Sequence, residues 1–278
     1  MTAFWRRIDL FVNKDSYIQT RSGNKMPVFG LGTWQLTHDT AETVLFALQL
    51  GFSLIDTSSD YGTQSGIGWA LKTADINRED IYVVTKVEET DDAYERTKTN
   101  LRELGLDYVD LMLIHRPPPK GAGESLWEGL IKAKETGLAM DIGVCNYSSR
   151  LIDRLIDTSS EIPAVNQIEW TPFGYSEDMK QYCEEKGIII QAYSPLTRSK
   201  RLNDETLVRV AGKYNKTTAQ ILIRWNLQQD IVPIPKANHR RHLEENINVF
   251  DFELSDRDIE LINGLNQHYS SLGFLLYE

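Results

Sequence analysis

Residues 53–62 read SLIDTSSDYG. A short apolar run, Leu54-Ile55, ends in an acid, Asp56, and Tyr61 follows just before Gly62. The run is too short for a helix and is entered from Gly51-Phe52, so it reads as a buried strand running into a loop. A carboxylate at the end of a buried strand is costly unless something pairs with it. Two readings stand at this point. Asp56 caps the next helix and Tyr61 is an ordinary amphipathic core residue, or both belong to a site.

The same unit recurs outward in both directions. Short apolar runs end in Trp34 (from 29–33), Lys86 (81–85), His115 (108–114), Cys145-Asn146 (139–144), Asn166-Gln167 (164–165), Tyr193-Ser194 (188–192) and Pro235-Lys236 (231–234). Helical periodicity fills the intervals: 40–50, 64–74, 92–104, 125–134, 148–156, 176–185, a pair at 204–213 and 217–227, then 244–249 and 255–265. Strands apolar on both faces point to a parallel sheet. A strand–helix unit repeated eight times, about 25–35 residues apart, predicts a closed (β/α)8 TIM barrel of the α/β class. The open doubly wound alternative lacks GxGxxG after its first strand. Residues 17–20 and 25–29, around Ser22-Gly23-Asn24, read as an N-terminal β-hairpin. No linker divides the chain, so residues 1–278 read as one barrel domain. Residues 1–16, with Trp5 and Phe11, form an N-terminal extension without an assigned role.

Composition narrows the class. Hydrophobic residues make up 41 % and charged residues 25 % of 278, the balance of a soluble globular protein. A net charge of −10 argues against a general nucleic-acid binder. Two cysteines, Cys145 and Cys183, make no disulfide framework and have no metal-ligand spacing. With no apolar segment suited to a signal peptide or a membrane span, the expected location is cytoplasmic, with no membrane partner.

In a barrel the C-terminal strand ends meet on one face, where active sites of this fold lie. Trp34, Asp56, Lys86, His115, Asn146, Gln167, Tyr193 and Lys236 all fall there. They include no acid pair suited to glycoside hydrolysis, no activated nucleophile and no metal set. A Tyr beside a Lys is more informative. The phenol has a reference pKa of about 10, and a nearby ammonium is expected to lower it toward use as an acid. Asp56 would hold Lys86, and a neutral His115 would orient a carbonyl oxygen. Such a set suits protonation of an oxygen becoming an alkoxide, so a hydride donor is implied.

The chain resembles the aldo-keto reductases. GFSLIDTSSDYGTQSGIG (51–68), VVTK (83–86), LGLDYVDLMLIHRP (104–117), GLGTW (30–34), GVCNY, NQIEW, AYSPL and IPKA match the family in order, over roughly residues 26–265. The resemblance implies a (β/α)8 barrel, usually monomeric, that reduces a small-molecule aldehyde or ketone with NADPH, NADH being possible. It implies Tyr61 as general acid, Lys86 and Asp56 as its tuning pair, and His115 as the group that orients substrate. It implies Asn146 and Gln167 at the nicotinamide carboxamide, together with Asp56, Gly32 and Thr33 on the cofactor. Tyr193 would stack on the ring, Ser194 and Leu196 meet the pyrophosphate, and Lys236 bind the 2′-phosphate. Ala237 and His242 complete the phosphate segment, with Glu245 and Asn246 at the adenine. Trp34, Tyr61, His115, Glu88 and Arg116 would face substrate.

Several positions depart from the family pattern. Ser53 replaces a usual Arg and Cys145 a usual Ser. Ala237 and His242 replace a Ser/Thr and an Arg in the phosphate segment, where Arg240 and Arg241 are available to compensate. Glu88 and Arg116 stand where aromatic pocket walls are common. They either pair with each other at the rim or make a polar pocket in which Arg116 meets a hydroxylated or carboxylate-bearing carbonyl compound. Short connecting segments suggest an open site, with residues 269–278 as its lid. Two other classes compete: a cofactor-binding regulatory or interaction protein of the same fold with little turnover, and a barrel isomerase or lyase using Lys86. The latter leaves Asn146, Gln167 and Tyr193 without a role.

Overall fold

The structure, a computed structural model, describes residues 12–36 and 39–277. The extension's Trp5 and Phe11 lie outside the described residues. Strands β1 (Tyr17–Gln19) and β2 (Lys25–Pro27) form the expected antiparallel hairpin. Eight parallel strands follow: β3 (Leu31–Gly32), β4 (Leu54–Asp56), β5 (Tyr82–Val87), β6 (Val109–Ile114), β7 (Ala139–Cys145), β8 (Val165–Glu169), β9 (Ile189–Tyr193) and β10 (Val232–Pro233). Their spatial order is their chain order. The seam between the first and the last is closed by Gly30 N–H to Pro233 O at 3.1 Å and Gly32 N–H to Pro235 O at 3.2 Å. This is the expected TIM barrel.

Among the described residues, ten helices follow or separate the strands: α1 (Thr40–Leu50), α2 (Gln64–Thr73), α3 (Ala93–Leu104), α4 (Glu124–Glu135), α5 (Ser149–Ser159), α6 (Glu177–Lys186), α7 (Glu205–Tyr214), α8 (Thr218–Gln228), α9 (Arg240–Ile247) and α10 (Asp256–Asn263). Local sequence explains their limits. Asp92 caps α3 through the Glu95 N–H, and Thr217 with Gln220 forms a capping box on α8. Helix α9 starts at Arg240, four residues earlier than the sequence pattern predicts, because its first three residues, Arg240, Arg241 and His242, are polar and the lone Leu243 sets no apolar period.

Strand alternation divides the core in two. Leu54, Tyr82, Val84, Leu111, Leu113, Val165, Ile189 and Val232 fill the barrel interior with Met26, which the hairpin supplies. Ile55, Val83, Met112, Ile142, Val144, Ile168 and Ile190 face the helices. Because strand side chains alternate with period two, the inward rows continue to Asp56, Lys86, His115, Cys145, Gln167 and Tyr193. Below its last layer the interior is largely apolar, Asp141 and Gln191 being buried polar exceptions, and the last layer is polar. Strand β8 also runs further than the sequence suggests. Asn166 to Glu169 look like a strand exit, yet they stay in the ladder, with Asn166 bonded to the Tyr147 backbone.

Gly32 sits at the seam, and a Cβ there would lie 2.7 Å from Ile234 O, a backbone atom that cannot swing aside. Gly32→Ala should therefore cost about 1–3 kcal/mol in urea unfolding. A loss under about 0.5 kcal/mol, within the range of ordinary surface changes, would show that the seam is not this tight.

Candidate active site

Lys86 is fully buried, and its ammonium is held by three oxygens. Nζ lies 2.8 and 2.9 Å from the two Asp56 carboxylate oxygens and 2.7 Å from Thr57 O. Burial works most strongly against its charge, but the Asp56 carboxylate and its hydrogen bond, together with Tyr61 and Cys145, outweigh it and keep Lys86 more basic than an ordinary lysine. Asp56 also accepts from Gln167 Nε2 at 2.6 Å, and its backbone oxygen accepts from the Thr33 hydroxyl at 2.8 Å. The costly strand-end carboxylate thus has its partners.

Tyr61 stands on the short turn after β4, with Lys86 Nζ 5.0 Å from its ring centroid. The expected lowering of the phenol pKa is not what the surroundings produce. Burial raises it, Lys86 lowers it only partly, and Asp56 adds to the rise. The main reason is burial of the ring, and Asp56 offsets part of the field that Lys86 exerts on it. Tyr61 therefore keeps its proton through neutral pH and remains a donor for a stronger base such as an alkoxide.

His115 packs edge-on to Tyr61, centroids 5.7 Å apart. Its Nδ1 lies 2.8 Å from Glu88 Oε1, 3.4 Å from Ser58 Oγ and 3.7 Å from Asp60 Oδ1. Glu88 is half-buried, which opposes its charge. The His115 hydrogen bond and charge, with Ser58 and Arg116, still hold its carboxyl below the usual range. The expected Glu88–Arg116 pair does not form. Glu88 turns to His115 and Ser58, whereas half-exposed Arg116 reaches Asp60 at 3.3 Å and Glu89 at 4.0 Å. Two acids, Asp60 and Glu89, take Arg116, and Glu88 bonds to His115 and Ser58 instead. Sequence reading expects no metal set. Among the described residues, Asp60, Glu88 and His115 bring possible ligand atoms within 4.8 Å of one another, but these atoms already engage each other and Arg116.

The other expected positions lie around the same mouth. Tyr193, the last residue of β9, donates its hydroxyl to Asn146 Oδ1 at 2.8 Å. Asn146 and Ser194 both adopt left-handed backbone, at φ 63 and 48. Such strain in non-glycine residues clusters at functional loops. Gln167 spends its amide nitrogen on Asp56 and on Gln191 Oε1, so its Oε1 is the atom left to meet a ligand. Leu196 is half-buried, next to Ser194. Lys236 stands three residues past β10 and has no ion pair among the described residues; burial lowers its pKa. Behind it, Ala237 and Asn246 are buried, and His242 is exposed against His239. Arg240 lies over the Phe46 ring at 4.5 Å, and Glu245 is bonded to the Thr217 hydroxyl at 2.6 Å.

Some neighbours were not singled out in sequence. Ser58 and Asp60 sit in the quoted stretch but read there as loop polarity. Arg198 covers the exposed Trp34 ring at 4.4 Å. Glu169, inward on β8, holds the chain's tail through Ser270 Oγ at 2.6 Å, Ser271 N–H at 2.8 Å and Ser271 Oγ at 2.5 Å. Tyr269 then passes so close to Gly174 that a Cβ there would meet Tyr269 O at 1.8 Å. The tail expected as a lid is pinned at its start, and only the inward parity of Glu169 could have signalled this.

With this geometry in place, the comparisons are direct. The model of the aldo/keto reductase family matches residues 28–267. The chain is 38 % identical over 268 residues to an aldo-keto reductase of Mycobacterium avium, covering 93 % of this chain and 94 % of that protein. It is 35 % identical over 256 residues to a Bacillus subtilis protein named glyoxal reductase, covering 90 % and 92 %. Among solved structures, an aldo/keto reductase from Brucella melitensis aligns with TM-score 0.86 at 37 % identity, covering 90 % and 99 %. A Bombyx mori aldo-keto reductase in complex with NADP aligns at 0.87 and 32 %, covering 94 % and 95 %. The chain belongs to the aldo/keto reductase family, whose members are NAD(P)H-dependent oxidoreductases acting on small carbonyl compounds. Among the described residues no helix is long and apolar enough to cross a membrane.

Removing one partner of a buried ion pair strands the other charge. Asp56→Ala should lose about 3–5 kcal/mol in urea unfolding, and a loss under about 1 kcal/mol would contradict the pairing. The pH dependence has a definite sign. Lys86 is raised on folding, so its stabilisation is complete below the ordinary lysine pKa of about 10.4 and fades above it. The stability gap between native protein and Lys86→Met should narrow as pH rises past that value; an unchanged gap would contradict the assignment.

Proposed function

We propose that this protein reduces an aldehyde or ketone to the alcohol, reversibly, with NADPH. Tyr61 gives the proton, and His115 holds the carbonyl oxygen. The observation that carries the reading is the convergence of Tyr61, His115 and the buried Lys86–Asp56 pair on the mouth of a barrel whose interior is largely apolar.

The residues present fit the cofactor. Gln167 Oε1 has no partner among the described residues and suits a carboxamide donor. Asn146, fixed by Tyr193 through its Oδ1, has its amide nitrogen without a partner among those residues. Lys236 is a cation without a carboxylate and suits a phosphate. When bound, the nicotinamide supplies the hydride. The protein's own residues then do the rest. Asn146 and Gln167 fix the ring's carboxamide, and Tyr193 stacks on its face. Ser194 and Leu196 receive the pyrophosphate, and Lys236 selects the phosphorylated dinucleotide. Gly32 and Thr33 bring the backbone close beside Asp56, and Ala237, His242, Glu245 and Asn246 border the adenosine end. Tyr61 Oη meets the carbonyl oxygen and passes its proton as the oxygen gains charge. Trp34, Glu88 and Arg116 border the substrate, and Arg116 favours carbonyl compounds carrying a hydroxyl or carboxylate. We further take the protein to work as a cytoplasmic monomer.

Tyr61→Phe should leave NADPH binding intact and lower kcat for aldehyde reduction by about 10²–10⁴, the usual share of a positioned proton donor. NADPH consumption over a panel of aldehydes and ketones reads this directly, and near-native turnover by the variant would overturn the role. A charge-assisted contact is worth about 1.5–3 kcal/mol, so Lys236→Met should raise KM for NADPH roughly 10–100-fold and leave KM for NADH little changed. Equal effects on both dinucleotides would remove the 2′-phosphate contact from the account.

A further inference from the structure

His115 is held by acceptors alone on its Nδ1 side. Glu88 Oε1 at 2.8 Å and Asp60 Oδ1 at 3.7 Å are carboxylate oxygens, which accept and do not donate when ionised. Ser58 Oγ, at 3.4 Å, has one proton, and its 3.1 Å bond to Glu88 Oε1 uses it. Toward Nδ1 the hydroxyl therefore offers only a lone pair. Nε2, across the ring, has no partner among the described residues. A neutral imidazole carries one N–H, and its position follows from the bond the other nitrogen makes.

We infer that Glu88 fixes the Nδ1–H tautomer of His115, so that only the imidazolium can present an Nε2–H to a carbonyl oxygen. The inference rests on the carbonyl-reductase reading for its kinetic consequence, though not for the tautomer itself. It replaces the neutral, carbonyl-orienting histidine expected from sequence with a charged one. Glu88 then acts as a positioning residue through His115: its carboxylate stabilises the imidazolium, and reduction slows as that proton is lost.

The other charged groups around the ring are accounted for. Asp60, from the loop after β4, adds to the stabilisation of the imidazolium and shares Arg116, which opposes it from the far side of Asp60. Lys86 lies behind Tyr61 and is neutralised by Asp56. Tyr61 itself keeps its proton beyond the range concerned, because burial raises it.

Two measurements test this. In native protein at alkaline pH, ¹⁵N–¹H correlation of the histidine rings, with His115 assigned by its loss in His115→Gln, should show the neutral His115 protonated on Nδ1. A proton on Nε2 overturns the inference whatever the enzyme does. Between pH 5 and 9, native kcat/KM for an aldehyde should fall tenfold per unit along its basic limb. In Glu88→Gln the amide either accepts or donates, so the neutral ring can carry Nε2–H, and kcat/KM should vary less than about twofold over the same range. A limb of equal steepness in both proteins, or none in the native one, overturns the kinetic role. If the native protein binds NADPH but turns nothing over, the reductase reading fails on its own, and the ring spectrum still decides the tautomer.

Discussion

The Lys86–Asp56 pair is the constraint on which the mouth of this barrel depends. Taking an ammonium fully out of water is expensive, and only a carboxylate and a backbone oxygen within 3 Å make it tolerable here. Those same contacts tie three strand ends together, because Asp56 ends β4, Lys86 lies near the end of β5, and Gln167 on β8 donates across the lumen to Asp56. A charge pair that costs the fold its desolvation also fixes the floor on which Tyr61 stands. The pair's near-neutrality explains why the phenol holds its proton more tightly than a Tyr beside a lone ammonium would.

Around that floor runs a rim of ionic contacts in place of apolar walls. Glu88, Asp60 and Arg116 interlock with His115, and Arg198 covers Trp34. Hydrogen bonds between charged groups are directional and strong in a half-buried setting, so the rim fixes the orientation of the His115 ring. On the opposite side, Glu169 anchors Ser270 and Ser271 two residues along β8 from Gln167, so the proposed cofactor contact and the tail docking share one strand. The arrangement places rigid strand-borne groups at the chemistry and leaves the variable loops to choose substrate.

The fold was legible because the barrel repeats one unit, and each unit announces itself by an apolar run ending in a polar residue. Asp56, Lys86, His115, Asn146 and Tyr193 were found by that rule, since the top inward layer is where polarity replaces apolar side chains. The rule placed Gln167 at the mouth as well, but it failed where inward parity continues inside a strand: Glu169, two residues on, reads as loop because β8 becomes polar before it ends. It failed also for partner choice. Sequence brought Glu88 and Arg116 together by their shared departure from an aromatic pattern. Space gave them separate partners, a fact carried by loop geometry after β4 that no spacing encodes. The direction of the Tyr61 shift was equally hidden, because it depends first on how deeply the ring is buried and then on how much of the Lys86 field Asp56 offsets.

The most direct test of the central claim follows the hydride. The protein is mixed with a small aldehyde and NADPH carrying deuterium at C4 of the nicotinamide, in ordinary water, and the product is read by mass spectrometry and NMR. The account predicts an alcohol with one deuterium on the carbinol carbon and none exchanged from solvent at that carbon. Alcohol formed without the label, or no alcohol while the labelled cofactor is bound, would contradict it.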